Sequence, residues 1–91
     1  MTDKILTQHP QGKRGVNIDR AKYDAVRDAI MEALGGGELT HLELLAGVEK
    51  ALDGSFDGSI GWYMETVKLD LEARGVIARD DAKPQRYRLL A

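Results

Sequence analysis

The stretch LDLEARGVIAR at residues 69–79 decides the fold, together with RYRLL at residues 86–90. An apolar helical repeat runs into the first stretch and stops at Gly75, a residue that closes helices without a Cβ penalty. Beyond it the apolar residues alternate with a period of about two, which is typical of a β-strand. Residues 76–79 and 86–90 therefore predict two strands of a hairpin, joined by residues 80–85.

A helix with an apolar face precedes this hairpin. It is expected to begin at Ser59, with Asp57 as an alternative N-cap. Its apolar positions recur at helical spacing and are Ile60, Met64, Val67 and Leu71. Its opposite face is expected to be charged and to meet solvent or a partner. The members of that face are Glu65, Lys68 and Glu72, with Asp70 and Arg74 at its margins.

Capping signals predict two further helices upstream. Asp19 is a candidate N-cap for a helix that ends at the glycines 35–37, where a left-handed glycine is expected. Thr40 and Glu43 have the spacing of a capping box, so a second helix is expected from there to residues 53–54.

The N-terminal segment, residues 1–16, is polar, rich in turn formers and without apolar periodicity. It is expected to form an arm, which could gain a short strand at residues 16–18. Residues 17–91 then form a single domain, because a chain of 91 residues leaves room for no more. Three helices followed by a hairpin wing is the winged helix-turn-helix order, in a mainly α (α+β) class.

Composition and charge narrow the class of protein. The absence of cysteine excludes disulfides and thiolate metal sites. No stretch is long and apolar enough for a signal peptide or a membrane span, so a cytoplasmic protein is expected. The net charge of −2 argues mildly against a nucleic-acid binder. The charge is uneven, however: residues 76–91 carry four Lys or Arg against two Asp, and residues 35–58 carry one Lys against five Asp or Glu.

Four motifs carry a resemblance to a known family. They are HPQGK at residues 9–13, NID at 17–19, GSIGWY at 58–63 and VKLDLE at 67–72. With them, nearly the full chain resembles a family of small uncharacterised bacterial winged-helix proteins. The resemblance implies a winged-helix fold. Most domains of that fold bind DNA with the third helix in the major groove and the wing on the backbone, and a minority bind proteins instead.

Four basic residues cluster in the predicted wing and could contact DNA phosphates, which dominate nucleic-acid affinity. Strand alternation is expected to turn Tyr87 and Leu89 toward the core. The alternative is a solvated strand edge, where charges prevent edge-to-edge pairing. The neighbouring Asp80 and Asp81 weaken the phosphate interpretation. The four basic residues are Arg79, Lys83, Arg86 and Arg88.

Further candidate contacts lie on the arm and on the third helix. Lys13 and Arg14 could enter a minor groove, as the arms of some DNA-binding domains do. The alternatives are a disordered terminus or an arm that docks on a second copy of the chain. Lys68 is the expected phosphate contact on the third helix. Glu65 and Glu72, expected on the same face, argue against base reading, which needs hydrogen-bond donors.

Trp62 and Tyr63 stand near the start of the third helix. They could form an exposed aromatic anchor of the kind that dominates protein interfaces. The alternative is that both belong to the core, because they flank the apolar face. Of the two, Trp62 is the better candidate to reach the surface.

The sequence therefore predicts a regulatory nucleic-acid-binding protein, with DNA as the expected ligand and a homodimer as one arrangement. The alternative is a protein-interaction module without DNA binding, acting through the aromatic pair or the acidic middle of the chain. No enzyme, cofactor or metal site is expected, because His9 and His41 are lone histidines and no nucleophile is paired with a base. The acidic middle consists of Glu38, Glu43, Glu49, Asp53 and Asp57.

Overall fold

The computed structural model describes residues 3–13, 15–54, 56–80 and 83–90. Within those residues it contains three helices and two small antiparallel sheets, so the predicted α+β class is confirmed. None of these helices is long and apolar enough to cross a membrane. In chain order the elements are β1 (Lys4–Leu6), β2 (Asn17–Asp19), α1 (Arg20–Leu34), β3 (Leu39–Thr40), α2 (His41–Leu52), α3 (Ile60–Ala73), β4 (Ile77–Arg79) and β5 (Arg86–Leu89).

Each helix begins at the residue that its capping signal predicted. The Asp19 carboxylate accepts a hydrogen bond from an amide of the first turn of α1. At the start of α2 the capping box is complete, since the Thr40 amide donates to Glu43 Oε1 at 2.9 Å and the Glu43 amide donates to Thr40 Oγ1 at 3.2 Å. The Ser59 hydroxyl accepts an amide of the first turn of α3 at 3.3 Å. These bonds satisfy amides that have no partner within the helix.

A glycine follows each helix within two residues, at Gly35, Gly54 and Gly75, as predicted, and a positive φ lies within residues 35–37. Gly35 caps α1 with a right-handed φ of −62°, and the positive φ of 131° is at Gly37. After α3, Gly75 has a φ of 76°, and the amide of Val76 donates to the carbonyl of Leu71 at 2.9 Å. This bond turns the chain from the helix into the hairpin.

The three helices pack around one core that is mostly aliphatic. The predicted apolar face of α3 is confirmed, because Met64, Val67 and Leu71 are buried. Tyr87 of β5 is also buried, as strand alternation predicted. The remaining buried apolar residues are Ile18, Tyr23, Val26, Ala29, Ile30, Leu34, Leu44, Val48, Leu52 and Ile77.

The predicted hairpin belongs to a three-stranded sheet with the order β3-β5-β4. Its strands are slightly shorter than predicted, ending at Leu89 and beginning at Ile77. The third strand, β3, was not predicted. It is only two residues long, and Leu39 and Thr40 pair with Tyr87 and Arg86 of β5. The sheet therefore joins the segment just before α2 to β5.

The first and second strands form a separate antiparallel pair, in which Ile5 lies opposite Ile18. The predicted short strand at residues 16–18 lies at 17–19, and β1 was not predicted. At the loop end of this N-terminal hairpin, Thr7 is buried, and its hydroxyl both accepts from the amide of Val16 and donates to its carbonyl. The described part of residues 1–16 is therefore packed structure and not a free arm.

Candidate interaction surfaces

Helix α3 presents one stripe of side chains away from the core, which we call the outer stripe. Its residues follow each other at helical spacing, opposite the buried Met64, Val67 and Leu71. Trp62 has an exposed fraction of 49%, and Leu69 is half-buried. The outer stripe consists of Trp62, Glu65, Thr66, Leu69 and Ala73. Glu65 is its one charged residue.

The charged face that the sequence predicted for α3 is largely wrong. Lys68 is 3% exposed and Asp70 is fully buried. The side chain of Glu72 is 7% exposed and pairs with Arg79 at 2.8 Å. Helical spacing identified one buried face correctly, but α3 is also covered from both flanks, by the N-terminal hairpin and by the three-stranded sheet.

Lys68 is held in a polar cluster and is therefore not the expected phosphate contact. Its Nζ atom donates to Tyr87 Oη at 3.0 Å and to Glu65 Oε2 at 3.1 Å, and it lies 3.0 Å from His41 Nδ1. The ammonium also stands 4.3 Å from the centre of the Tyr87 ring. These partners replace the contacts with water that the Lys68 ammonium loses when it is buried. The cluster joins α2, α3 and β5.

On the other flank of α3, the buried Asp70 carboxylate accepts hydrogen bonds from three donors. It accepts from the amide of Gln8 at 2.7 Å, from Arg74 Nε at 2.8 Å and from the Tyr23 hydroxyl. Burial, and then the hydrogen bond and charge of Asp70, raise the pKa of Tyr23 to about 12. The hydrogen bond to Asp70 also raises the pKa of Arg74. This carboxylate ties the N-terminal hairpin, α1 and α3 together.

A small pocket of about 120 Å³ opens beside the outer stripe. Thr66 and Leu69 of α3 form one wall. The N-terminal hairpin forms the other wall, including Val16, whose exposed fraction is 41%. No local pattern in the sequence predicts this pocket, because its two walls come from segments about fifty residues apart. Its lining is mainly apolar and suits one aliphatic side chain.

The aromatic pair divides between surface and core. Trp62 reaches the surface, as the sequence favoured, and Tyr63 is half-buried. Their rings meet edge-on with centroids 5.0 Å apart, and Tyr63 meets Phe56 in the same way at 5.1 Å. Lys22 Nζ stands 5.5 Å from the centre of the Tyr63 ring. The Tyr63 ring therefore packs against Trp62 on one side and Phe56 on the other.

The basic residues of the wing do not share one face. Arg86 and Arg88 are exposed on either side of the buried Tyr87. Arg79 lies opposite Tyr87 in the strand register, so it points to the helix side, where it pairs with Glu72. Lys83 and, on the N-terminal hairpin, Lys13 are exposed, and Arg14 lies outside the described residues.

The acidic middle of the chain is exposed throughout, and Glu43 has a structural role. Its carboxylate completes the capping box, and hydrogen bonding to Thr40 lowers its pKa. The other members are Glu38, Glu49, Asp53 and Asp57. In the part of the chain that the structure describes, no group of three or more His, Asp or Glu side chains is placed to hold a metal ion.

The comparison with known proteins identifies a family but no characterised relative. The profile of a family described as "Family of unknown function (DUF6958)" matches residues 4–87. Neither the curated proteins nor the solved structures gave a significant match. The matched segment runs from the start of β1 into β5, and so includes the N-terminal hairpin, the outer stripe and most of the wing. Because the match covers nearly the whole chain, this protein belongs to the DUF6958 family.

Proposed function

We propose that this protein is a non-enzymatic protein-interaction module on a scaffold of winged-helix type, and that its partner docks on the outer stripe of α3. The scaffold assignment is supported by the order of three helices followed by a hairpin. It is further supported by the sheet that joins this hairpin to the start of α2. In this arrangement α3 takes the place of the helix that meets a ligand.

The observation that carries the proposal is the chemistry of the outer stripe. A helix that reads DNA presents Arg, Lys, Asn, Gln or Ser to base edges. Here the stripe offers a half-exposed Trp62, an aliphatic Leu69 and a carboxylate at Glu65. Lys68, the cation within α3, and Arg74, at its C-cap, are turned to the flanks and paired. Exposed aromatic and aliphatic side chains beside a pocket are typical of protein interfaces.

The pocket and the carboxylates around the outer stripe favour one kind of partner. The pocket formed with Thr66 and Leu69 suits an aliphatic anchor residue. His41 Nδ1 lies 3.7 Å from Glu65 Oε2, so the first turn of α2 stands beside the stripe and brings Leu42, 75% exposed, and the carboxylate of Glu43. Charge complementarity then favours a basic amphipathic segment, with an aliphatic side chain in the pocket and Lys or Arg residues along the acidic side.

Site-specific photo-crosslinking tests the proposal. A photoreactive amino acid replaces Thr66 on the stripe or, as a control, the exposed Lys83 on the wing. In the native cells we expect a discrete protein adduct from position 66 and none from position 83. The captured protein, once purified, should bind the chain with a Kd that Leu69→Glu weakens by about tenfold or more. Arg88→Glu should leave this Kd unchanged.

Two outcomes would contradict the proposal. One is that position 66 gives no discrete protein adduct. The other is that the purified partner binds the Leu69→Glu variant as tightly as the wild type, with both proteins folded by circular dichroism. Because Leu69 is only half-buried on the helix surface, its replacement is not expected to unfold the chain.

Duplex binding by the wing is a second candidate function, supported by the exposed Arg86 and Arg88. Both guanidiniums are exposed and can contact phosphates. Arg86 also stands near the carboxylate of Glu43, whose pKa is lowered by hydrogen bonding to Thr40 first and by the charge of Arg86 last. Lys83 and Lys13 could add further contacts. In this mode the double change Arg86→Glu, Arg88→Glu abolishes duplex binding while leaving the fold intact, because both side chains are exposed.

A further inference from the structure

A second concave surface shares no lining residue with the pocket beside the outer stripe. It is a groove of about 520 Å³, a size at which protein pockets bind small organic molecules. It runs between α1, the strand β1 and the turn from α3 into β4. The lining residues are Ile5, Arg20, Tyr23, Arg27, Asp28, Met31, Leu71, Arg74 and Val76.

The floor of the groove is apolar. Tyr23 and Leu71 are almost fully buried beneath it, and Ile5, Met31 and Val76 are half-buried along its sides. These side chains come from β1, α1, α3 and the turn between α3 and β4, so the groove is a product of the tertiary fold. An aliphatic chain laid along this floor would remove apolar surface from water on both partners.

Three guanidinium groups stand around this apolar floor. Arg74 is fixed by its bond to the buried Asp70. Arg20 pairs through Nε with Asp3, and the two side chains are 45% and 76% exposed. Arg27 pairs with Asp28 at 3.0 Å and with Asp24 at 3.3 Å, and these two carboxylate side chains are 70% and 41% exposed.

The ion pairs of Arg20 and Arg27 are exposed and contribute little free energy, so a ligand can displace their carboxylates at small cost. Arginine is also the side chain best suited to bind a carboxylate by two parallel hydrogen bonds. The groove therefore combines an apolar floor with two guanidiniums that can exchange partners.

We propose that the groove is a ligand site for an amphipathic carboxylate, in which an aliphatic chain lies on the floor and the carboxylate is bound by Arg20 and Arg27. Asp3, Asp24 and Asp28 then turn into solvent. The site is separate from the outer stripe and shares no residue with it.

Titration with octanoate, followed by NMR of the methyl groups, tests this site. We expect saturable shifts of the Ile5 and Val76 methyl signals. The double variant Arg20→Gln, Arg27→Gln should weaken the Kd for octanoate by about tenfold or more, because it removes both charge-assisted contacts. The matched control Arg88→Gln, an exposed arginine on the wing, should bind as the wild type does. Octanol, which lacks the charge, and inorganic phosphate, which lacks the chain, should both bind more weakly than octanoate.

Three results would overturn the site: no saturable shift at Ile5 and Val76, equal affinity for octanol and octanoate, or an unchanged Kd in the double variant. The outcome is independent of the outer stripe. Leu69→Glu should leave octanoate binding unchanged, so failure of this site and failure of the protein-interaction proposal are separate results.

Discussion

Asp70 shows how a single side chain can organise three elements. Its carboxylate is fully buried and is satisfied by Tyr23, Arg74 and the amide of Gln8. A buried charge of this kind is stable only while its partners remain, and the loss of one partner leaves the others without compensation. The free energy of unfolding should therefore depend on the charge at this position more than at any exposed carboxylate.

We predict that Asp70→Asn lowers the free energy of unfolding by about 2–4 kcal/mol, because it removes a charged acceptor from a buried network. The matched control is Asp28→Asn, whose side chain is 70% exposed and which should change stability by no more than about 0.5 kcal/mol. Urea denaturation measures both. Equal effects of the two changes would contradict the role of Asp70.

The same network predicts a pH dependence at the alkaline end. The pKa of Tyr23 is raised to about 12 by burial first and by Asp70 second, against an ordinary value of 10.0. Because the folded value lies above the unfolded one, this contribution to stability is fully present below pH 10.0 and is lost as the pH rises toward 12. The difference in tyrosinate absorbance between the wild type and Tyr23→Phe measures the ionisation. A midpoint near pH 10.0 in the folded protein would contradict the prediction.

Among the elements, the N-terminal hairpin depends on one close approach of the backbone. Gly15 stands so near Thr7 that a Cβ atom would overlap the Thr7 carbonyl oxygen. At Gly61, on the first turn of α3, an added Cβ would meet nothing within 4 Å. The two glycines are therefore a matched pair, one constrained by packing and the other unconstrained.

We predict opposite effects of the same substitution at these two glycines. Gly15→Ala should destabilise the protein by about 1–3 kcal/mol and increase hydrogen exchange at the amides of Thr7 and Val16, because the hairpin must open to admit the methyl group. Gly61→Ala should stabilise it by about 0.5–1 kcal/mol, since alanine favours the helix. Denaturant midpoints together with amide exchange measure both. A Gly15→Ala variant with wild-type exchange at Thr7 would show that the hairpin is not held there.

The helices were predictable from the sequence because their signals are local. The caps at Asp19, Thr40 and Ser59 and the glycine stop at Gly75 each depend on residues within one turn. Strands β1 and β3 were missed because the sequence around residues 4–6 and 39–40 shows no alternation of apolar and polar side chains over four or more positions. Their existence depends on partners far along the chain, such as the pairing of Leu39 with Tyr87.

The candidate site was harder to predict for the same physical reason. The flanks of α3 are covered by segments that contact it across long sequence separations, such as Gln8 to Asp70 and His41 to Lys68. Helical spacing reports one buried face and says nothing of these further contacts. As a result, Lys68 was expected on the surface. The surface position expected for Trp62 is confirmed, although the structure places it opposite the buried face of α3 and not beside it.

At the scale of the whole molecule, charges of both signs are spread over the surface. The β4–β5 hairpin carries the exposed cations Lys83, Arg86 and Arg88, and Lys4, Lys13 and Lys50 are exposed elsewhere. Exposed carboxylates stand in the acidic middle of the chain and also at Asp3, Asp28 and Glu65. The outer stripe of α3 has no exposed cation of its own. A duplex placed against α3 would meet a carboxylate and apolar side chains, whereas a basic amphipathic segment would meet complementary groups.

The most direct test of this account is the fluorescence anisotropy of a labelled mixed-sequence duplex, titrated with the purified protein at about 50 mM and then about 200 mM salt. The account predicts no saturable binding with a Kd below about 1 μM at the lower salt concentration, because α3 contributes no contact to phosphates or bases. Submicromolar binding that weakens by about two orders of magnitude at the higher concentration would contradict it. That result would favour duplex binding by the β4–β5 hairpin, and the Arg86→Glu, Arg88→Glu double change would then identify its contacts.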